Sequence, residues 1–328
     1  MSKDNAKNLS FIPSGYGNAT RVPPRFAGIP VPYVNGTYGK NFDIVIPVGI
    51  HDIVTIAKVV KYAKKNIIGY RNIYLLSCKA DLVVEGCITI DESIAIFNKS
   101  TIEKKLKEGN IEGGGWYLQQ LLKFYASLII PEMLDDYLVI DADVYFLKPT
   151  AFFSKSGKTL LAFADNKQEP HHEPYFRHMS RLHPKLVRLY PQYSGICHHM
   201  MFNRGKIAQL MYLVESNHNN QAFWQILLQC VIEESRMHKQ VSCMSEYEIY
   251  FNYLAIFHPD YCEVRKLEWT NTYYIPNKIL ELTIFRKFYY VSQFVRGNRI
   301  KMLTSKLRDY IPYRKSIKKF LKSVFSSK

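Results

Sequence analysis

Two aspartates one residue apart, Asp141 and Asp143, close the apolar run Tyr137-Leu138-Val139-Ile140-Asp141-Ala142-Asp143-Val144-Tyr145-Phe146. The apolar residues ahead of them read as a strand buried on both faces of a parallel sheet, and ligands collect at the carboxyl ends of such strands. Carboxylates at i and i+2 leave a common face for a hard divalent cation, Mg²⁺ or Mn²⁺, whose other positions phosphate oxygens and water can fill. The chemistry this suggests is diphosphate handling. An isolated Asp-x-Asp also matches a strand that simply ends in a polar turn, so its weight depends on the residues around it.

Other residue types fit the same chemistry. After Gly113-Gly114-Gly115, Gln120 and Lys123 lie three residues apart on one side of a helix, a spacing that suits contacts to nucleotide or phosphate. The glycines favour approach to a ligand but lack the Gly-Lys-Ser/Thr ending of a nucleoside-triphosphate loop. An amphipathic helix with both polar residues in solvent accounts for Gln120 and Lys123 equally well. Pro191 to Asn203 reads as a ligand-side loop and a buried strand, in which Gly195 permits close backbone approach. His198 and His199 point to opposite faces if extended, so one of them faces the site. With His171 and His172 they show neither the helical spacing nor the thiol partner of a zinc site. In Ser245-Glu246-Tyr247-Glu248, Ser245 and Glu248 form a capping box with Glu248 reaching back to the cap amide. Glu246 then sits in the first turn, stabilised by the helix dipole and free to act as a base, or is merely a favourable first-turn acid.

These residues need a scaffold. Phe42 to Val48, Asn72 to Ser77 and Cys87 to Asp91 read as strands, with a helix from Ile53 to Ala63 and a charged one between Ile94 and Gly109. The alternation predicts an α/β fold with a mainly parallel, Rossmann-like sheet and helices on both faces. Residues 1–40 are rich in Pro, Gly, Asn and Tyr and read as an irregular arm, residues 41–284 as the catalytic domain, and residues 285–328 as a basic helical region.

At 328 residues and 47% hydrophobic, the chain can build one large α/β core or two modest ones. Its net charge of +16 is concentrated at one end: thirteen Lys or Arg stand against Asp309 from Phe285 to Lys328, a net +12 that leaves +4 for the first 284 residues. A nearly balanced body argues against a nucleic-acid partner. Ile317, Phe320, Leu321, Val324 and Phe325 share one helical face amid lysines, which suits either an anionic membrane surface or packing on the domain itself. No apolar run has transmembrane length and the start lacks a signal-peptide core. The six cysteines are dispersed without a Cys-x-x-Cys pair, so free thiols in a reducing compartment are expected. The expected location is cytoplasmic, or peripheral on the cytoplasmic face of a membrane.

Taken in order, Asp43 to Val48, Trp116-x-x-Gln119-Gln120-x-x-Lys123, Asp141-Ala142-Asp143, Tyr193-Ser194-Gly195 with His198-His199, and Ser245 to Glu248 resemble nucleotide-sugar glycosyltransferases of the GT-A fold. The set is similar in particular to a branch carrying Gln-Gln, Asp-x-Asp and Ser-Glu-Tyr-Glu, and spans roughly residues 42 to 270. The resemblance implies Mn²⁺ or Mg²⁺ and a nucleoside-diphosphate sugar, UDP-linked, as donor, with a glycan, lipid-linked or protein acceptor. It puts Pro47 and Val48 near the base, Asp141 and Ala142 at ribose, and Asp141 and Asp143 on metal. It also puts Gln120, Lys123, Gly195, His198 and His199 beside the donor, Glu246 as base, and His258 as metal or diphosphate ligand. Ser-Glu-Tyr-Glu stands where many relatives have paired Glu-Asp, which leaves the base and the inverting outcome open. Two alternatives stand: a sugar-phosphate nucleotidyltransferase, against which the missing Gly-x-Gly-Thr-Arg segment counts, and a catalytically inactive, membrane-associated protein on the same fold.

Overall fold

The computed structural model describes residues 41–165, 172–238, 242–272 and 274–293. The expected N-terminal arm, His171 and the amphipathic segment from Ile317 to Phe325 lie outside the described residues. The first half of the fold runs β1 (Phe42–Val48), α1 (Ile53–Asn66), β2 (Tyr70–Ser77), β3 (Ile88–Asp91), α2 (Lys99–Leu106), α3 (Gly114–Ile129), β4 (Asp136–Ile140) and β5 (Val144–Phe146). The second runs β6 (Thr159–Asp165), α4 (Glu173–Leu182), β7 (Tyr193–Ser194), β8 (His199–Asn203), α5 (Arg204–Ser216), α6 (Phe223–His238) and α7 (Glu246–Phe257). It closes with β9 (Cys262–Lys266), β10 (Trp269–Thr272), α8 (Lys278–Leu282) and β11 (Tyr290–Gln293).

Five strands form the main sheet in the order β3-β2-β1-β4-β8. β3, β2, β1 and β4 are parallel, whereas β8 runs antiparallel to β4. Two three-stranded sheets flank it, β10-β11-β5 and β7-β6-β9, each combining a parallel and an antiparallel pair. The architecture is therefore mixed α/β, compatible with a Rossmann-like arrangement; every sheet is mixed, and the main one keeps four of its five strands parallel.

Successive residues of a strand point to opposite faces, and here both faces are cores. Val45, Leu76, Val139 and Met200 join α2, α3, α5, α6 and α7 on one side. Ile44, Leu75, Leu138 and Met201 join α1, Phe152 and Tyr290 on the other. Double burial is why these strands read as unbroken apolar runs. On α1 the apolar face is Ile56, Val59, Val60 and Ala63, at i, i+3, i+4 and i+7, and Lys64 and Lys65 complement the dipole in its last turn. The charged helix expected from Ile94 begins only at Lys99, because Asn98 Oδ1 accepts from Thr101 N–H at 3.0 Å and caps it there.

Two features of this topology set up the site. Because β8 is antiparallel, its first residue pairs with the last of β4, Ile140 opposite His199. The residue preceding β8 therefore meets the residue following β4. The second feature corrects the expected boundary at 284/285: Phe285 and Phe288 are buried, and β11 pairs Tyr290, Val291 and Ser292 with Phe146, Tyr145 and Val144. Residues 285–293 belong to the body. Among the described residues no helix is long and apolar enough to cross a membrane.

Candidate metal and donor site

Asp141 and Asp143 leave the carboxyl end of β4 in a tight turn, with Val144 N–H donating to the Asp141 carbonyl at 3.1 Å. Across from them His198 adopts the left-handed region at φ 59°. Its carbonyl accepts from Asp141 N–H at 3.0 Å, and its Nδ1 stands 3.1 Å from Asp141 Oδ2. One ligand atom from each of Asp141, Asp143 and His198 lies within 4.8 Å of the others, the arrangement a single ion could occupy. The Trp269 ring meets His198 edge-on at 4.8 Å.

The two carboxylates are held differently. Asp141 Oδ1 accepts from Lys123 Nζ at 2.5 Å and from Tyr247 OH at 2.8 Å. Burial opposes its charge, yet Lys123 and His198 hold it well below the usual carboxylate range. Among the described residues, Asp143 Oδ2 accepts from Ser292 Oγ alone, at 3.3 Å, while its Oδ1 is buried without a partner. Burial, then the neighbouring Asp141 charge, push Asp143 up to about 6. A buried carboxylate oxygen left over beside a second carboxylate and an imidazole is a donor set that could hold a divalent cation. The residues present fit the metal that the resemblance implies.

Helix α7 meets the site with its N-terminus. Gln120 Oε1 accepts from Glu246 N–H at 3.1 Å, and Lys123 Nζ reaches Glu246 Oε1 at 2.5 Å. Gln120 and Lys123 are 1% and 2% exposed, so the solvent-facing account of both residues is overturned. Burial opposes the charge of Lys123, but Asp141 and Glu246 keep its pKa above the ordinary value. Glu246 is not the unencumbered acid expected of a first-turn position: it is 4% exposed and shares Lys123 with Asp141. Burial raises its pKa against the attraction of Lys123.

Several other expectations are redistributed. His258 stands apart from the paired acids, ending α7 with Nε2 at 3.0 Å from Tyr253 OH and Nδ1 at 3.4 Å from Lys206 Nζ. Burial and Lys206 bring it down to about 4. The histidine grouped with the acids is His198. His199, one residue on, faces the opposite side into a box of Phe146, Phe152 and Tyr290, and burial lowers its pKa to about 3. Gly195 makes a close approach to α7: a Cβ there would stand 2.5 Å from Phe251 Cβ and 2.9 Å from the Tyr247 carbonyl. The glycine run before α3 serves helix entry, with Gly113 in the left-handed region at φ 92° and Gly114 against Glu103. Pro47 and Val48 are buried at the carboxyl end of β1, past the last β1–β4 pair at Val45, where a missing N–H costs no ladder bond to β4. Ala142 is buried between the two acids.

Half of the capping box is present. Ser245 Oγ accepts from Glu248 N–H at 3.3 Å, but the Glu248 carboxylate turns to Ser194 and Gly195 instead of the cap amide. Sequence reasoning also missed Tyr247, whose motif was visible although its hydroxyl was given no task. Ser292 and Trp269 carried no sequence signal, because only strand pairing brings β10 and β11 to Asp143 and His198.

A model of DUF6492, described as a family of unknown function, matches residues 76–278. The chain belongs to this family. No curated protein matches it. Within the DUF6492 span lie Lys123, both aspartates, His198, Glu246 and Glu248, while β1 and β11 lie outside it.

Proposed function

We propose that this DUF6492 protein is a metal-dependent glycosyltransferase that moves a sugar from a nucleoside-diphosphate sugar, UDP-linked, to an acceptor hydroxyl on a glycan, lipid-linked or protein substrate. The observation that carries the reading is the convergence of Asp141, Asp143 and His198 at the carboxyl edge of the sheet, with Asp143 Oδ1 buried and unpartnered among the described residues. Four parallel strands ending at that edge are compatible with the GT-A resemblance. Mg²⁺ or Mn²⁺ held by these three residues would supply charge neutralisation for the leaving diphosphate. Lys123 and His198 keep Asp141 ionised, the state in which it would hold a cation. Glu246 is the assigned base: its raised pKa suits proton acceptance, and its use requires that Lys123 release it. The basic C-terminal segment supports a peripheral site on the cytoplasmic face of a membrane.

A screen of nucleotide-sugar hydrolysis with and without Mn²⁺ tests this. Metal-dependent turnover that is lost in Asp143→Ala supports the reading, and metal-independent turnover retained by that variant sinks it. One observation favours the inactive alternative: Lys123 already supplies a cation to Asp141 and Glu246, as a purely structural ion-pair network would. Absence of both turnover and Mn²⁺ binding would select that alternative.

A further inference from the structure

We infer that Glu248 is a positioning residue that sets where His198 stands against Asp141 and Asp143; this rests on reading those three residues as the metal site. Glu248 is fully buried on the first turn of α7. Oε1 accepts from Ser194 Oγ at 2.5 Å, and Oε2 accepts from Gly195 N–H at 3.2 Å and Asn252 Nδ2 at 3.4 Å. Asn252 cannot turn its oxygen toward the carboxylate, because that oxygen accepts from Leu189 N–H at 2.9 Å. Every named partner thus brings a donor to a carboxyl oxygen of Glu248. Helix capping needs none of this. Ser245 already caps α7, and burying a carboxyl is unfavourable unless such donors offset its lost hydration.

Two of these donors, Ser194 Oγ and Gly195 N–H, belong to the segment that carries His198. Ser194 ends β7, and its Oγ also accepts from Ile196 N–H at 3.1 Å. Gly195 lies directly on α7, with no room for a Cβ. Cys197 is fully buried, and His198 follows at φ 59°. A side-chain-bearing residue in that region is strained and persists only when its surroundings hold it. The surroundings are two anchors: Asp141 at the His198 end and Glu248 at the Ser194 end. Consecutive residues of one helical turn thereby reach both halves of the site, Tyr247 through Asp141 and Glu248 through the turn that presents His198.

The test uses the full chain, with imidazole signals read before metal is added and Mn²⁺ binding measured afterwards. Long-range ¹H–¹⁵N spectra report the imidazole signals of each histidine, with His198 assigned from His198→Gln. In Glu248→Gln, one donor of the amide must face Ser194 or Gly195, and in Ser194→Ala one anchor bond is gone. Both variants are expected to keep their methyl spectra, to shift the His198 ring signals while leaving those of His258 in place, and to bind Mn²⁺ about tenfold more weakly, the lower range for loss of an outer-shell support. His198 signals at their parent positions in folded Glu248→Gln overturn the inference. If that variant does not fold, unchanged His198 signals in Ser194→Ala do the same. The metal reading is judged separately: a parent protein that binds no Mn²⁺ removes that reading, while the His198 signals still decide whether Glu248 positions the ring.

Discussion

Lys123 is the residue on which the charge balance of the site turns. It is buried against Asp141 and Glu246, and Tyr247 lies under its ammonium at 4.3 Å. Removing one partner of such a network leaves the others charged and desolvated, so Lys123→Met should cost about 3–5 kcal/mol, read from urea unfolding. Asp143 behaves in the opposite way. Its carboxylate is disfavoured by burial and by Asp141, so Asp143→Ala should abolish Mn²⁺ binding in calorimetry while leaving the melting temperature at pH 7 equal to or above that of the parent. Glu246→Gln should keep donor affinity and lose transfer with the true acceptor; an unchanged transfer rate would remove it as base. Glu248 gives a pH signature. Burial raises its pKa from 4.5 to about 7 against the donors around it, so the folded state holds a proton that the unfolded state has lost between those values. The stability it contributes is complete below about pH 4.5 and is lost as pH rises to about 7, on the order of 3 kcal/mol at most. Subtracting the unfolding free energies of Glu248→Gln from those of the parent across this window should show that slope.

Among the elements, α7 and β8 do the assembling. The N-terminus of α7 ties α3, the end of β4 and the β7–β8 turn together within Ser245 to Glu248. The antiparallel entry of β8 delivers His198 beside Asp141, which a parallel fifth strand would not have done. The contact between these elements is tight at Gly195. Gly195→Ala places a methyl group 2.5 Å from Phe251 Cβ, so the turn must lift from α7. Overpacking of this kind costs about 1–3 kcal/mol. Urea unfolding should register that loss together with weakened Mn²⁺ binding, and full retention of both would mean that the turn is not seated on α7 as described.

The whole molecule separates a nearly neutral N-terminal 284 residues from a strongly basic C-terminal end. The last described strand, β11, ends at Gln293, and every residue placed at the site precedes that residue. Removal of residues 311–328 should therefore leave activity on a soluble acceptor intact while abolishing attachment to anionic vesicles. Attachment should be reversible by salt, since surface attraction is screened beyond about 8 Å at physiological ionic strength. Vesicle flotation measures this: a full-length protein that stays down with anionic lipid at low salt, or a truncated one that unfolds, assigns the segment to the domain instead of to a membrane surface.

Short-range pattern was enough for much of the scaffold. The strand at Phe42 to Val48, the helix from Ile53, the strand ending at Ile140 and the helix starting after Ser245 are each written in local periodicity and capping residues, and Asp141 and Asp143 follow from their place after an apolar run. Which histidine joins them was not written there. His198 and His258 carry the same chemistry, and only the antiparallel pairing of β8 with β4 brings the first to the acids, while Tyr253 and Lys206 engage the second. The pairing of Lys123 with Glu246 spans 123 residues, and the support of Asp143 by Ser292 spans 149. Glu248 shows the difference in one residue: its spacing from Ser245 placed it at the helix start, but burial against the β7–β8 turn redirected its carboxylate from the cap to Ser194 and Gly195. Backbone conformation and caps depend on neighbours in the chain, whereas the partner of a buried charge depends on which distant donors the packed core leaves within reach.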